Sequence, residues 1–454
     1  MRVDLCEALV GCSKIGFSDQ GRCPAPAPAL QAGAATLRES EVYPQAMRVL
    51  LISSLYPPHH IGGYELGCRD VAEGLKARGH QVKVLTSTYG VGKPECEGDV
   101  YRWLEWDGLD AYRSRLVKFA RMLGKETKNR SALRRMLKTY QPDVLYVWNL
   151  AGLSISMVLL AQSQRVPSCY FVSDDWLSRW EGDRSFRFWQ GGAEQGRIAR
   201  LSKAALRSIF GLLDAVPSGS LDLRHVQFAS EYLKRVALRA GKPVDDAEVI
   251  HWGVDAVKYP FKKESKGSKR LLYVGQLAPE KGVHTTIEAM RILVREHECS
   301  SLKLTIAGSA AVRPDYGREL QDLVRRHSLS DNVSFAGYVS HEHLPAVFHE
   351  HDILLFPSVW DEPFSIALLE GLSCGLAVIA TATGGTPEIL RHEVNALLFP
   401  KEDAAACAGQ ILRLLNEEAS FERIRKNGRC TVEEEFRLES MIDRIEHSLI
   451  RTSR

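Results

Sequence analysis

At 454 residues the chain is longer than one ordinary domain and predicts at least two. Its composition, 45% hydrophobic and 25% charged, is that of a globular protein, and a net charge of +3 gives no reason to expect a nucleic-acid partner. The ten cysteines form no C-x-x-C pair, which argues for free thiols in a reducing compartment and against a zinc site or disulfide framework, and no apolar run reaches the roughly 18–20 residues that a bilayer-spanning helix needs.

Residues 1–46 are expected to be a disordered leader. The stretch "CPAPAPALQAGAA" is rich in Pro, Ala and Gly and has neither a helical nor a strand period. Glu7 breaks the one short apolar run there, so no signal peptide is predicted, and Met47 reads as the start of the folded unit. From Met47 onward, β-rich runs alternate with helical ones. The runs are "RVLLISS" (48–54), "HQVKVLTS" (80–87), "DVLYVWN" (143–149), "SCYFVS" (168–173), "HVQFAS" (225–230) and "AEVIHWG" (247–253). Helical stretches such as "ELGCRDVAEGLKARG" (65–79) lie between most of them. "KKESKGSK" (262–269) then reads as a linker. The alternation restarts with "RLLYVG" (270–275), "LKLTIAG" (302–308), "NVSFAG" (332–337), "DILLFP" (352–357), "LAVIAT" (376–381) and "NALLFP" (395–400). This predicts α/β architecture with two doubly wound, Rossmann-like domains, 47–261 and 270–430, and a helical tail over 431–454. The tail is expected to pack back on the first domain. Ligands in such sheets bind beyond the carboxyl ends of the strands, so the expected site is the cleft between the two domains.

Several stretches carry candidate chemistry. In "YPPHHIGGYE" (56–65), Gly62 and Gly63 stand at a strand-to-helix turn, where backbone N–H groups approach a ligand and a helix N-terminus favours an anion; a plain turn explains the same glycines. Residues 112–138 hold ten Lys/Arg and one acid, with apolar residues at Leu116, Phe119, Leu123, Leu133, Met136 and Leu137. That is a basic amphipathic pattern, suited to an anionic membrane surface or to a solvated surface helix. Residues 176–208 mix Trp, Phe and Arg and are candidates for an acceptor pocket. In "YVGQLAPEKGV" (273–283), Lys281 stands where it can neutralise a phosphate, or simply pair with Glu280. "GGTPE" (384–388) offers two more glycines after a strand. In "DEPFSIALLEG" (361–371), Pro363 keeps Glu362 off a helix that Ser365 is placed to cap, and Glu370 falls inside that helix among apolar neighbours. A buried, unpaired carboxylate costs several kcal/mol, so Glu370 must meet either a hydroxyl-rich ligand or a basic partner from elsewhere. Phosphate-binding turns together with hydroxyl-binding carboxylates suggest a sugar nucleotide.

The chain resembles the retaining glycosyltransferases of the GT-B fold, specifically glycosyltransferase family 4, from residue 47 to about 450. The E-x7-E element is matched by Glu362 and Glu370 in "EPFSIALLE", and "PEKG", "GGTPE" and "YPPHHIGGYE" match in order. The resemblance implies an acceptor-side N-terminal domain and a donor-side C-terminal domain. It implies that Glu370 binds the ribose hydroxyls and that Glu362 contacts the donor sugar. Lys281 would stabilise the departing diphosphate, with Gly62, Gly63, Gly275, Gln276, Phe364, Ser365, Gly384 and Gly385 at the donor. The reaction implied is metal-independent and cofactor-free, moving a hexosyl group from a UDP- or GDP-sugar to a glycan or lipid-linked acceptor. A cytoplasmic enzyme of polysaccharide or glycolipid synthesis, touching the inner membrane face through 112–138, is the matching expectation. A metal at Asp174–Asp175 is not favoured, because nothing else there has ligand spacing. Two positions depart from the family pattern. Gln276 stands where many relatives carry arginine, and Ser173 stands where many carry histidine, with Asp174 a candidate substitute for it. These departures leave open the alternative of a catalytically silent partner that binds sugar nucleotides or glycans.

Overall fold

The computed structural model describes residues 46–106, 115–182, 220–262 and 270–454, with side chains from residue 121 in the segment that begins at 115. The leader up to residue 45, residues 263–269 of the linker 262–269 and most of the 176–208 stretch lie outside the described residues. Two sheets carry the fold. The first has eight strands in the order β3-β4-β2-β1-β5-β6-β7-β8. These are β1 (Arg48–Ser53), β2 (Gln81–Ser87), β3 (Glu95–Glu97), β4 (Val100–Leu104), β5 (Val144–Asn149), β6 (Ser168–Val172), β7 (Val226–Phe228) and β8 (Glu248–Val249). All its neighbours pair in parallel except β3 with β4. The second has six parallel strands in the order β11-β10-β9-β12-β13-β14. These are β9 (Arg270–Val274), β10 (Lys303–Ala307), β11 (Val333–Gly337), β12 (Ile353–Phe356), β13 (Ala377–Thr381) and β14 (Ala396–Phe399). Central strands such as β5 and β13 are buried along their whole length. That is why their sequences are continuous apolar runs with no alternation, as helices on both faces require.

The first helix, α1 (Gly63–Ala77), lies between two distant parts of the chain. A Cβ on Gly67 would come within 2.0 Å of the Trp252 ring, and one on Gly74 within 2.4 Å of Ile442. Only glycine lets Trp252 and Ile442 seat there. Trp252 belongs to the crossover from the first sheet to the second, residues 250–262. Sequence pattern predicts a strand over 247–253, yet β8 is two residues long. The apolar residues Ile250, Trp252 and Val254 are buried because the chain leaves the sheet there and packs beside the returning segment. Val254 N–H donates to Phe436 O (2.9 Å) and Leu438 N–H to Val254 O (3.2 Å), so both passages between the sheets run side by side. The terminal helix (Leu438–Ser453) then packs on the first sheet. Its Glu446 binds Arg78 (2.7 Å) and accepts from His80 Nε2 (2.7 Å), whose Nδ1 accepts from Met47 N–H.

The strand pair β3–β4 was not signalled by the sequence, because "ECEGDVYRWL" is short and polar in its first half. The basic helix is real: α2 runs Arg115–Tyr140. Its Leu123, Leu133, Met136 and Leu137 are buried. Over this stretch the apolar stripe faces the protein's own interior and is not offered to a membrane. The side chains of Leu116 and Phe119 lie outside the described residues. Among the described residues no helix is long and apolar enough to cross a membrane.

The close approach at Gly67 generates a paired expectation. An Ala there gains up to about 1 kcal/mol of helix propensity, but overpacking against Trp252 costs roughly 1–3 kcal/mol. Gly67→Ala should therefore lower the melting temperature. Gly409→Ala, within the helix Ala404–Asn416 where a Cβ meets nothing within 4 Å, should hold or raise it. Equal melting of the two variants would remove the packing argument.

Candidate active site

Strand β9 ends in a 3-10 turn, Pro279–Lys281, closed by Gly282 at φ +67°. A Cβ on Gly282 would lie 2.0 Å from Pro357 O, so glycine allows the turn to press against the loop after β12. This brings Lys281 Nζ to Glu362, 2.8 Å from Oε1 and 3.0 Å from Oε2. Ser358 Oγ donates to the same Oε1 (2.7 Å). The ammonium also sits 5.3 Å from the centre of the Trp360 ring, which is 44% exposed at the rim. Glu362 itself is only 4% exposed. Gly384, at φ +55°, lies where a Cβ would meet Glu362 O at 2.1 Å, and Gly385 N–H donates to Glu362 O (2.7 Å). These two glycines hold the backbone of the Glu362 loop. The Gly385 amide, expected to face a ligand, is used internally.

The helix predicted after Glu362 is present as Ile366–Ser373, here α8, with Ser365 Oγ accepting from Leu368 N–H. Glu370 lies inside it and is 4% exposed. Its Oε1 accepts from the Tyr259 hydroxyl (2.7 Å) and from His341 Nε2 (2.7 Å). The basic partner that the sequence could not supply is His341, from the loop after β11, with Tyr259 of the crossover beside it. Nothing in the spacing of 259, 341 and 370 signals that contact. Ser365 is engaged as the helix cap and Phe364 stacks on His251 (5.4 Å, 22° between planes). Gln276 is exposed beyond β9, and Gly275 N–H donates to Ala307 O.

The first domain supplies the opposite wall. A Cβ on Gly63 would lie 3.4 Å from Ile366, so the glycine turn faces the helix that carries Glu370. Gly62 N–H donates to Glu65 Oε2 (3.0 Å). A carboxylate of the protein itself thus occupies one of the amides expected to meet an anion. Burial raises the Glu65 carboxyl above its ordinary range, although the amides at the turn oppose this. Ser173 Oγ accepts from the Trp252 indole N–H (2.9 Å). Asp174 Oδ1 accepts from Trp176 N–H (2.9 Å), and burial raises its carboxyl from an ordinary 3.8 to about 6. Asp175 pairs with Arg179. Among the described residues no group of three or more His, Cys, Asp and Glu is placed to hold a metal ion.

The walls are joined at one point that the sequence did not reveal. Glu388, the acid of "GGTPE", accepts from Glu231 N–H and Tyr232 N–H (both 2.8 Å), the first amides of the helix Glu231–Arg239 in the first domain. It also accepts from His251 Nε2 (2.9 Å). Burial alone would raise this carboxyl, but His251 and the two amides outweigh it and hold it below the usual range. Beside it, Ser230 Oγ donates to Pro363 O (2.7 Å). The cap residue of a helix in one domain therefore grips the residue next to Glu362 in the other.

Two parallel, Rossmann-like sheets joined by a crossover and a returning terminal helix are the architecture of the GT-B fold. Residues 257–431 match the family model for glycosyl transferases group 1, and residues 62–216 match that for the glycosyl transferase 4-like domain. An uncharacterized glycosyltransferase of Methanocaldococcus jannaschii is 25% identical over 412 residues, covering 86% of this chain and 94% of that protein. Glycogen synthase of Mycobacterium tuberculosis is 26% identical over 410 residues, covering 86% of this chain and 91% of that protein. Among solved structures, Anabaena HepE in complex with UDP-glucose shares the fold, with a TM-score of 0.62 and 18% identity over 89% of this chain and 99% of that one. Residues 257–431 thus form a glycosyl transferases group 1 domain, and the chain is an enzyme of the hexosyltransferase type.

The raised Asp174 carboxyl carries a pH dependence whose sign is fixed. The native state retains this proton between roughly pH 4 and 6, where the unfolded chain has lost it. Its contribution to stability is therefore greatest below about pH 4 and declines as pH rises to about 6. Denaturant midpoints measured at roughly pH 4.5 and 6.5 should fall more for wild type than for Asp174→Asn. Equal falls would place the Asp174 carboxyl at its ordinary value.

Proposed function

We propose that this enzyme is a retaining glycosyltransferase that moves a hexosyl group from a UDP- or GDP-sugar to a hydroxyl of a glycan or lipid-linked acceptor, in the building of a polysaccharide, glycolipid or cell-surface glycan. The observation that carries the reading is the contact of Lys281 with Glu362 within the C-terminal domain, on the loop before the helix whose Ile366 lies against Gly63. In the proposed reaction the bond from the anomeric carbon to the diphosphate oxygen breaks. The acceptor oxygen forms its bond to the same carbon on the same face, and its proton passes to the leaving diphosphate. Lys281 stabilises the negative charge that develops on that diphosphate, and the turn at Gly62–Gly63 offers a helix N-terminus to it. Glu362 receives the sugar, and Glu370 receives the ribose. Gln276 adds a hydrogen-bond donor without charge, so Lys281 carries more of the electrostatic work here than an arginine–lysine pair would. Asp174 stands on the acceptor side. Lys281 supplies the charge stabilisation that a metal ion provides in other transferases, and the proposed reaction uses none. The UDP-glucose bound by the Anabaena structure supports a nucleotide-sugar donor.

The cation meant for the diphosphate is held by Glu362. A ligand must share or replace that contact, and its phosphates approach a carboxylate of the same sign. Glu362→Gln should therefore bind a nucleoside diphosphate roughly tenfold more tightly, about 1.4 kcal/mol, while losing turnover. Calorimetry with UDP, GDP and ADP measures the first and a transfer assay the second; weaker binding by the variant would contradict the shared-cation reading. The donor class itself is tested by a thermal-shift screen with UDP-, GDP- and ADP-sugars. One base should raise the melting temperature above the others, because a ligand that binds only the native state stabilises it by about 2.7 kcal/mol at a hundred times its dissociation constant. A flat response to all three would overturn the donor assignment.

A further inference from the structure

Glu370 is the end of a short chain of hydrogen bonds. Lys258 Nζ lies 2.9 Å from His341 Nδ1, and His341 Nε2 lies 2.7 Å from Glu370 Oε1. The Tyr259 hydroxyl is 2.7 Å from the same oxygen and 2.8 Å from His341 Nε2. A lysine ammonium has three donors and no acceptor. Nδ1 of His341 must therefore accept from it, which leaves the proton of the neutral ring on Nε2, facing Glu370. Three segments converge on one carboxylate oxygen. Lys258 and Tyr259 come from the crossover between the sheets, His341 from the loop after β11, and Glu370 from α8. The other oxygen, Oε2, makes no hydrogen bond to any described residue.

We propose that Lys258 and His341 are positioning residues for donor recognition: they hold Glu370 by Oε1 and so present Oε2 to the vicinal hydroxyls of the donor's ribose. The proposal rests on the reading of Glu370 as the ribose anchor. A glutamate carboxylate follows three rotatable bonds, and fixing it before the ligand arrives removes an ordering cost from binding. Lys258 sets the tautomer of His341. Without an ammonium at Nδ1 the ring is free to carry its proton there, and Nε2 then faces Oε1 lone pair to lone pair. Tyr259 alone can still donate to Oε1 but does not fix the plane of the carboxylate. The contact acts equally on bound donor and transition state, because the ribose does not change during transfer. Loss of the relay should thus raise KM for the donor and leave kcat nearly unchanged.

The test compares UDP, GDP and ADP with their 2′,3′-dideoxy counterparts, by calorimetry on wild type, His341→Ala, His341→Gln and Lys258→Met. Wild type should prefer the ribose form of its base by roughly tenfold or more, the scale of hydrogen bonds to a charged group. His341→Ala and Lys258→Met should lose most of that preference, and His341→Gln, whose amide can still donate to Glu370, should regain part of it. If wild type shows no preference for ribose, the assignment of Glu370 falls and this proposal with it. If wild type discriminates and His341→Ala and Lys258→Met discriminate equally well, Glu370 is the anchor but the relay does not position it. Lys258→Met leaves His341 and the packing around α8 in place, so its result stands even where His341→Ala folds poorly.

Discussion

A carboxylate with almost no access to water requires a cation or donors within contact distance, and the cleft of this protein is arranged around that requirement. Glu362 has Lys281, Ser358 and the Gly385 amide at its side chain and backbone. Removing one partner of a buried pair costs on the order of 3–5 kcal/mol, whereas an exposed pair contributes about 0–1. Lys281 keeps a quarter of its side chain exposed, 25% against 5% for Glu362, so the pair lies between these limits and nearer the buried one. The partial opening on the lysine side is what the proposed reaction requires, in which a ligand phosphate would reach the ammonium from the cleft without unburying Glu362.

The glycines follow from the same requirement. Gly282 lets the lysine turn touch the loop after β12, and Gly384 lets the "GGTPE" turn lie on the backbone of Glu362. A side chain at either position would separate the two charges. Glu388 then ties this assembly to the first domain through the amides of Glu231 and Tyr232, with Ser230 holding Pro363. The loop that presents Glu362 is thereby fixed from both sides of the cleft. Its geometry depends on how the two domains meet as well as on local sequence.

Much of this was legible in the sequence. Most parallel strands of both sheets, the helix after Ser365 and the off-helix position of Glu362 follow from apolar runs, turn residues and the proline at 363. Local patterns carry that information because period and capping act within a few residues. Contacts across long separations were not legible. The partners of Glu370 lie 111 and 29 residues away, and those of Glu388 lie 137 to 157 residues away. The basic stretch 112–138 shows another limit of local pattern. Its amphipathic pattern is genuine, but Leu133, Met136 and Leu137 satisfy the protein's own core, and a periodic stripe does not say which surface it meets. Ser173 was conspicuous as a missing histidine, yet only the structure shows that it accepts the Trp252 indole N–H.

The central claim is that the cleft holds one donor between Glu370 and the Lys281–Glu362 pair. A crystal structure of the protein with a bound nucleoside diphosphate sugar tests this most directly. The account predicts ribose hydroxyls within hydrogen-bond distance of Glu370, the diphosphate on Lys281, and the Glu362 carboxylate turned toward the sugar. A nucleotide bound with its ribose away from Glu370, and with the Lys281–Glu362 contact unchanged, would contradict it.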